Sequence, residues 1–208
     1  CRSPLAQAVG LVEALRIGPD VAPFWFDPLR YYLTRDPHAA STFFALRSAI
    51  TRAPFHRRLW INDPDCLLLR EREILMNEHE RLTLAHAAVL TGGTFFLSDR
   101  LDLLSEEGWK RESGLREIGR RCASGTATPL NLMNKSAPEI VVNTAGFVGV
   151  FNFGDEREEK FLLTADLPER SRGNFREIWS GDLFVVGKER LSLGSFAPHE
   201  SKLYELVE

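Results

Sequence analysis

Apolar and polar positions change rhythm once along the chain, near Ser124-Gly125-Thr126. Before that point the apolar residues recur mostly at helical spacing. Leu5, Val9, Val12 and Leu15 give residues 5–16 a loose helical pattern, marred by Gly10, and an irregular aromatic segment follows through Tyr31 and Tyr32. Phe43, Phe44, Leu46 and Ile50 mark one helix face over residues 37–53, which Pro54 ends. Residues 76–90 carry the strongest helical pattern, stopped by Gly92-Gly93. Ser105, with Glu106 and Glu107 behind it, predicts the capped start of a helix running to about Cys122. Short apolar runs at residues 59–61 and 94–97 predict strands between these helices, the second of them buried.

Helices alternating with strands that end in carboxylates are the rhythm of a parallel α/β barrel, although about three strands are too few to close an eight-stranded one. Beyond residue 124 short β-rich runs take over, at residues 139–143, 147–153, 160–164, 175–179, 183–186 and 201–207. The Gly154-Asp155, Arg172-Gly173 and Gly181-Asp182 turns separate them, which predicts an antiparallel β-sandwich. The expected organisation is α/β plus all-β, with barrel elements in residues 1–124 and the sandwich in residues 125–208.

Composition narrows the partners. The 208 residues are 44% hydrophobic and 26% charged with a formal net charge of −3, which suits a globular core and gives no strongly basic face for nucleic acid. No apolar run reaches the roughly 18–20 residues that span a bilayer, so no membrane partner is expected. Cys1, Cys66 and Cys122 are far apart and odd in number, with neither zinc spacing nor a disulfide framework. They point to a reducing compartment, the cytoplasm. Opening on Cys1 rather than Met, the chain reads as part of a longer protein.

Candidate chemistry concentrates at two strand ends. Arg16-Ile17-Gly18-Pro19-Asp20 places a carboxylate four residues after an arginine, ahead of Phe24-Trp25-Phe26. Gly18 and Pro19 break regular structure, so Asp20 is expected just past a strand, on the face where barrels do chemistry. Trp60-Ile61-Asn62-Asp63-Pro64-Asp65-Cys66 repeats the arrangement, and both stretches are expected to point at one pocket, with Asp65 inside it and Asp63 in a supporting hydrogen bond. Carboxylates two apart can chelate a hard cation, but no further ligands gather beside Asp63 and Asp65, and no metal is expected. His79 and His86 share a helix face without His-Glu-x-x-His spacing and read as satisfied helix histidines. The arginines of residues 111–121 read as a solvated face.

Cys1-Arg2-Ser3-Pro4-Leu5, Arg16-Ile17-Gly18-Pro19-Asp20, Trp60-Ile61-Asn62-Asp63-Pro64-Asp65-Cys66-Leu67-Leu68, and Gly92-Gly93 with Leu97-Ser98-Asp99 together resemble the α-galactosidases of glycoside hydrolase family 36, in the clan shared with family 27. Phe151-Asn152-Phe153 with Gly154-Asp155, Ile178-Trp179-Ser180-Gly181, and Pro198-His199 extend the resemblance along the chain, in order. The resemblance implies the C-terminal portion of a (β/α)8 TIM barrel followed by an antiparallel β-sandwich. It also implies a retaining glycosidase that hydrolyses terminal α-galactose from small oligosaccharides such as melibiose or raffinose. Retention uses two carboxyls roughly 5–5.5 Å apart, one as nucleophile and one as acid and then base.

On the family's Arg-x-x-x-Asp motif, Asp20 would be the acid/base, its pKa raised by aromatic neighbours or by the other carboxylate. Arg16 would hydrogen-bond a sugar hydroxyl near C2. Asp65 and Cys66 would line the pocket, Cys1 its floor, and Trp25 would offer the leaving group an apolar platform. Arg2, where many relatives carry Gly, would bear on the choice of sugar. The family's nucleophile lies in a Lys-x-Asp motif on an earlier strand, and nothing here matches it. The implied partners are therefore the α-galactoside and the N-terminal part of the barrel, and the chain alone is expected to be inactive. No cofactor is implied, since carboxylates suffice, and relatives often assemble, which makes a homo-oligomer an expected form. The competing readings are a non-catalytic carbohydrate-binding or assembly fragment, and an α-N-acetylgalactosaminidase with Arg2 and Leu5 near C2.

Overall fold

The computed structural model describes residues 5–36, 39–169, 172–185 and 189–207. Its first half alternates helices with short parallel strands. The helix expected over residues 5–16 is cut short: Leu5–Ala8 (α1) gives way at Gly10, φ +76°, to a strand, Ala14–Arg16 (β1). The cause is a distant partner. β1 runs parallel to Ile61–Asp63 (β2), with Arg16 in register with Asp63, and such pairing overrides local spacing. The aromatic segment is also more ordered than expected. Pro28–Thr34 (α2) is helical, with Pro28 in its first turn and the Asp27 carboxylate accepting from the Arg30 amide.

Thr42–Arg52 (α3) starts at its Ser41 cap, later than expected, and passes at Pro54 into a 3-10 turn, Ala53–Phe55. Pro37 lies outside the described residues. Cys66–Leu67 (β3) pairs in parallel with Phe96–Leu97 (β4). Between them Glu78–Thr91 (α4) begins in a complete capping box, Asn77 accepting from the Glu80 amide and Glu80 from the Asn77 amide. The strand expected to be buried is not: Phe96 is 55% exposed, because among the described residues β4 pairs with β3 alone. Glu106–Cys122 (α5) follows its Ser105 cap as the sequence predicts. Its arginines are not all solvated, since Arg111 pairs with Glu78 and Arg121 with Glu205.

The second half is antiparallel. Ala127–Pro129 (β5), Ile140–Asn143 (β6), Phe147–Phe151 (β7), Asn174–Glu177 (β9), Leu183–Phe184 (β10) and Ser201–Val207 (β12) form one six-stranded sheet in the order β10-β9-β12-β7-β6-β5. Glu158–Leu163 (β8) pairs with Arg190–Phe196 (β11). Side chains alternate across the large sheet and divide it between two cores. Val141, Phe147, Phe151 and Leu203 share one core with Leu84, Leu90 and Leu115 of the helices. Val142, Val148, Val150 and Tyr204 share the other with Leu162, Leu193 and Phe196 of the β8–β11 pair. The first core runs unbroken from the helical half into the sheet.

Leu90 of α4 packs directly onto Gly149 of β7. A Cβ there would lie 2.5 Å from Leu90 Cδ2 and 3.0 Å from the Phe151 ring, and both neighbours are fully buried. Neither can step aside, so Gly149→Ala is expected to destabilise the protein by about 1–3 kcal/mol. The check is urea unfolding, with a lower midpoint and an unchanged slope.

A directed chain of hydrogen bonds also ties α4 to the sheet. Trp179 Nε1–H, which can only donate, meets His86 Nε2 at 2.8 Å. The other ring nitrogen therefore carries the proton, and His86 Nδ1 donates to Ser201 Oγ at 2.8 Å. Thr83 Oγ1 donates to the His199 carbonyl at 2.6 Å, so the Ser201 hydroxyl, 2.9 Å from Thr83 Oγ1, donates to it. His86 is thus a satisfied helix histidine, as its sequence context suggests. Burial, helped by the Arg111 charge, pushes its pKa down to about 3.

Candidate active site

The parallel pairing of β1 and β2 sets Arg16 beside Asp63, and the Gly18-Pro19 turn brings Asp20 back to the same place. The Arg16 guanidinium then reaches three carboxylates. Nε donates to Asp63 Oδ2 at 3.0 Å, Nη1 to Asp20 Oδ1 at 3.1 Å, and Nη2 pairs with Asp65 Oδ1 at 3.0 Å. A planar fork with five donors suits this task and an ammonium would not. Burial works against the charge on Arg16, yet the Asp63 hydrogen bond and the charges of Asp65, Asp63 and Asp20 outweigh it and raise its pKa.

The three carboxylates are not equivalent. Asp63 also accepts from the Asp65 amide at 2.9 Å and the Thr94 hydroxyl at 3.1 Å, which makes it the bracket between strand ends. Asp65, whose side chain is 13% exposed, accepts from the Val21 amide at 2.7 Å and sits at φ +82°, in the left-handed region that Asp tolerates better than most residues. Asp20 differs from both, with a side chain 80% exposed. Cys66 follows Asp65 on β3, and burial, with the Asp65 charge, pushes its thiol pKa up. A protonated thiol is a poor nucleophile and a good packing group.

The structure therefore brings Arg16, Asp20 and Asp65 together, with Asp63 in support and Cys66 adjacent. Cys1 and Arg2 lie outside the described residues. Trp25 goes elsewhere. It is 8% exposed, stacks on the His199 ring at 4.5 Å, and packs against Phe43 and Phe153. The aromatic surroundings expected around Asp20 belong to this cluster instead, because Trp25 and Phe43 find their apolar partner in Phe153 of the sheet half. Trp25, Phe43, Phe153, Glu80, Asp155 and His199 line a cleft of about 700 Å³.

His199 is the residue to which sequence reasoning, naming it only within the resemblance, assigned no role. Its Nδ1 lies 2.7 Å from Glu80 Oε1 and its Nε2 3.0 Å from Asp155 Oδ1. Both Phe151-Asn152-Phe153-Gly154-Asp155 and Pro198-His199 stand out in the sequence, but nothing local shows that they meet. Asn152, fully buried, joins them by donating to the Glu156 and Ala197 carbonyls. Among the described residues no group of His, Cys, Asp and Glu could hold a metal ion, and no helix is long and apolar enough to cross a membrane. What the Arg16 cluster offers is fixed donors and acceptors for hydroxyl groups, plus one exposed carboxyl able to exchange a proton.

No family model matches the sequence. Solved structures do. An α-galactosidase I from Mortierella vinacea superposes on 99% of this chain and 55% of its own, with TM-score 0.73 and 15% identity. A family 27 β-L-arabinopyranosidase from Geobacillus stearothermophilus superposes on 98% of this chain and 47% of its own, with TM-score 0.68 and 15% identity. An α-galactosidase from Thermus thermophilus, solved with p-nitrophenyl α-D-galactopyranoside, is 26% identical over 68% of this chain and 27% of its own, with TM-score 0.51. The chain spans about half the length of the first two structures and less of the third. Its fold, helices with parallel strand pairs joined to a large antiparallel sheet, is α-galactosidase-like over nearly its whole length.

Proposed function

We propose that this chain is the acid/base half of a retaining α-galactosidase, its parallel strand pairs forming part of a (β/α)8 barrel. One observation carries the reading: in an α-galactosidase-like fold, Asp20 is the exposed carboxylate of the three that Arg16 gathers at a parallel strand end. An exposed carboxyl can protonate a leaving oxygen and later deprotonate water, whereas Asp63 and Asp65 are committed to backbone amides. Arg16 and Asp65 bind sugar hydroxyls and Cys66 packs against the ring, while a floor role for Cys1 and a bearing of Arg2 on the choice of sugar are carried over from the family resemblance alone. Trp25 enters through the cleft it lines, as an aromatic wall close in sequence to Asp20.

The nucleophilic carboxylate comes from an upstream barrel strand, which is the partner this reading requires, and without it the chain does not turn over. The reaction needs no cofactor. A cytoplasmic setting and homo-oligomeric assembly belong to the same reading.

The test uses the protein that carries this chain together with its nucleophile strand. Asp20→Ala is expected to lower turnover of melibiose by about 10²–10⁴-fold. With p-nitrophenyl α-galactoside, azide restores turnover and yields α-galactosyl azide, the configuration retained. A β-galactosyl azide would make Asp20 the nucleophile instead. An unaffected rate would leave a carbohydrate-binding or assembly fragment. Faster turnover of p-nitrophenyl β-L-arabinopyranoside, which has the galactose ring stereochemistry without the exocyclic carbon, would keep the chemistry and change the sugar.

A further inference from the structure

We infer that His199 is a positioning residue, clasping the loop that carries Asp20 to the antiparallel sheet. The inference rests on the acid/base reading of Asp20. The loop is pinned at its near end by the Val21 amide on Asp65, by the Ser41 amide on the Asp20 carbonyl, and by the Thr42 hydroxyl on the Ala22 carbonyl. At its far end the Trp25 carbonyl accepts from the Phe43 amide at 3.0 Å, and the Trp25 ring, five residues beyond Asp20, lies on His199 with 22° between the planes.

His199 is itself held from several directions. It sits in the turn between β11 and β12 at φ +58°, a left-handed conformation. The Thr83 hydroxyl fixes its carbonyl, at the end of the chain that runs from Trp179 through His86 and Ser201. Its two ring nitrogens face Glu80 of α4 and Asp155 of the loop after β7. Glu80 is fully engaged, one oxygen on His199 and the other on the Asn77 amide. Glu80 and Asp155 thus grip the His199 ring from two elements, which is the chemistry of a clasp. The sheet half thereby acquires a role: it sets where the Asp20 loop rests. A general acid displaced by about 1 Å loses on the order of 10²-fold in rate.

His199→Asn tests this, because Asn tolerates the left-handed turn while the stacking ring is removed. The expected result is a fall in kcat/KM on melibiose of about 10–100-fold. On 2,4-dinitrophenyl α-galactoside, whose leaving group departs without a proton, the fall is much smaller. Asp155→Ala, at a side chain 95% exposed and so harmless to folding, gives a smaller loss with the same leaving-group dependence. Equal losses on both substrates, or no loss from either variant, would overturn the inference. Asp20→Ala measured alongside separates the two failures. If it shows the leaving-group dependence and the His199 and Asp155 variants do not, only the positioning role falls; if it shows none, the acid/base reading falls first.

Discussion

Arg16→Leu is expected to destabilise the protein by about 2–4 kcal/mol and, on the proposed acid/base reading of Asp20, to abolish turnover. Removing one partner of a buried ion pair typically costs about 3–5 kcal/mol, because the charge left behind is uncompensated. Here the guanidinium keeps a third of its side chain exposed, which places the expectation somewhat lower. The loss is not of one pair but of the common partner of Asp63, Asp65 and Asp20. With the cation gone, Asp63 and Asp65 repel across the joint between β2 and β3, and the strand ends separate. Urea unfolding gives the stability term. Asp63→Asn in the same background supplies the decisive comparison: it removes a repelling charge and is expected to recover part of the stability, but none of the activity. A second substitution that only deepens the loss would show that Asp63 is held by its amide and hydroxyl donors alone.

Acidification is expected to destabilise the fold through His86. Its folded-state pKa of about 3 lies below the 6.5 of an unperturbed imidazole, so between these values the unfolded chain binds the proton that the folded protein refuses. The His86 contribution is therefore complete above about pH 6.5 and is lost as pH falls toward 3. Between pH 7 and pH 5 the loss is about 2 kcal/mol on the linkage relation. The structural origin is the directed chain: His86 Nε2 must stay unprotonated to accept from Trp179, and burial leaves an imidazolium no water. Urea midpoints measured at both pH values, for the natural protein and for His86→Leu, isolate the term. The variant starts less stable at pH 7, since Trp179 and Ser201 lose a partner, yet is expected to lose about 2 kcal/mol less on going to pH 5. Parallel pH dependences in the two proteins would remove His86 as the cause.

Elements written in adjacent residues were legible in the sequence. α5 begins at its Ser105 cap and ends at Cys122 as the capping and periodicity suggest. α4 lies within two residues of the expected helix, and β6 and β12 within one residue of their apolar runs. The Arg16–Asp20 pair was legible for the same reason, since four residues and one Gly-Pro turn set its geometry. Caps, turns and amphipathic faces draw their free energy from neighbours a few residues away, so the sequence window contains the whole interaction.

Tertiary structure decided the rest. β1 reads as helix until Ile61–Asp63 arrives beside it, and β5, three residues long, has no pattern of its own to separate it from loop. By contrast β11 does alternate, at Leu191 and Leu193, and was legible without being read. Asp63 and Asp65 join Arg16 only because the parallel register sets Arg16 opposite Asp63. The meeting of Trp25 with His199, from opposite ends of the chain, depends on α4 packing closely enough on the sheet for Glu80 and Thr83 to reach the β11–β12 turn. Ladder hydrogen bonds and burial are gained between segments that sequence distance does not rank, and their free energy exceeds the local preferences they override. The sequence by itself therefore determined the local elements and the residues with the chemistry for a site, and only packing decided which of those residues share it.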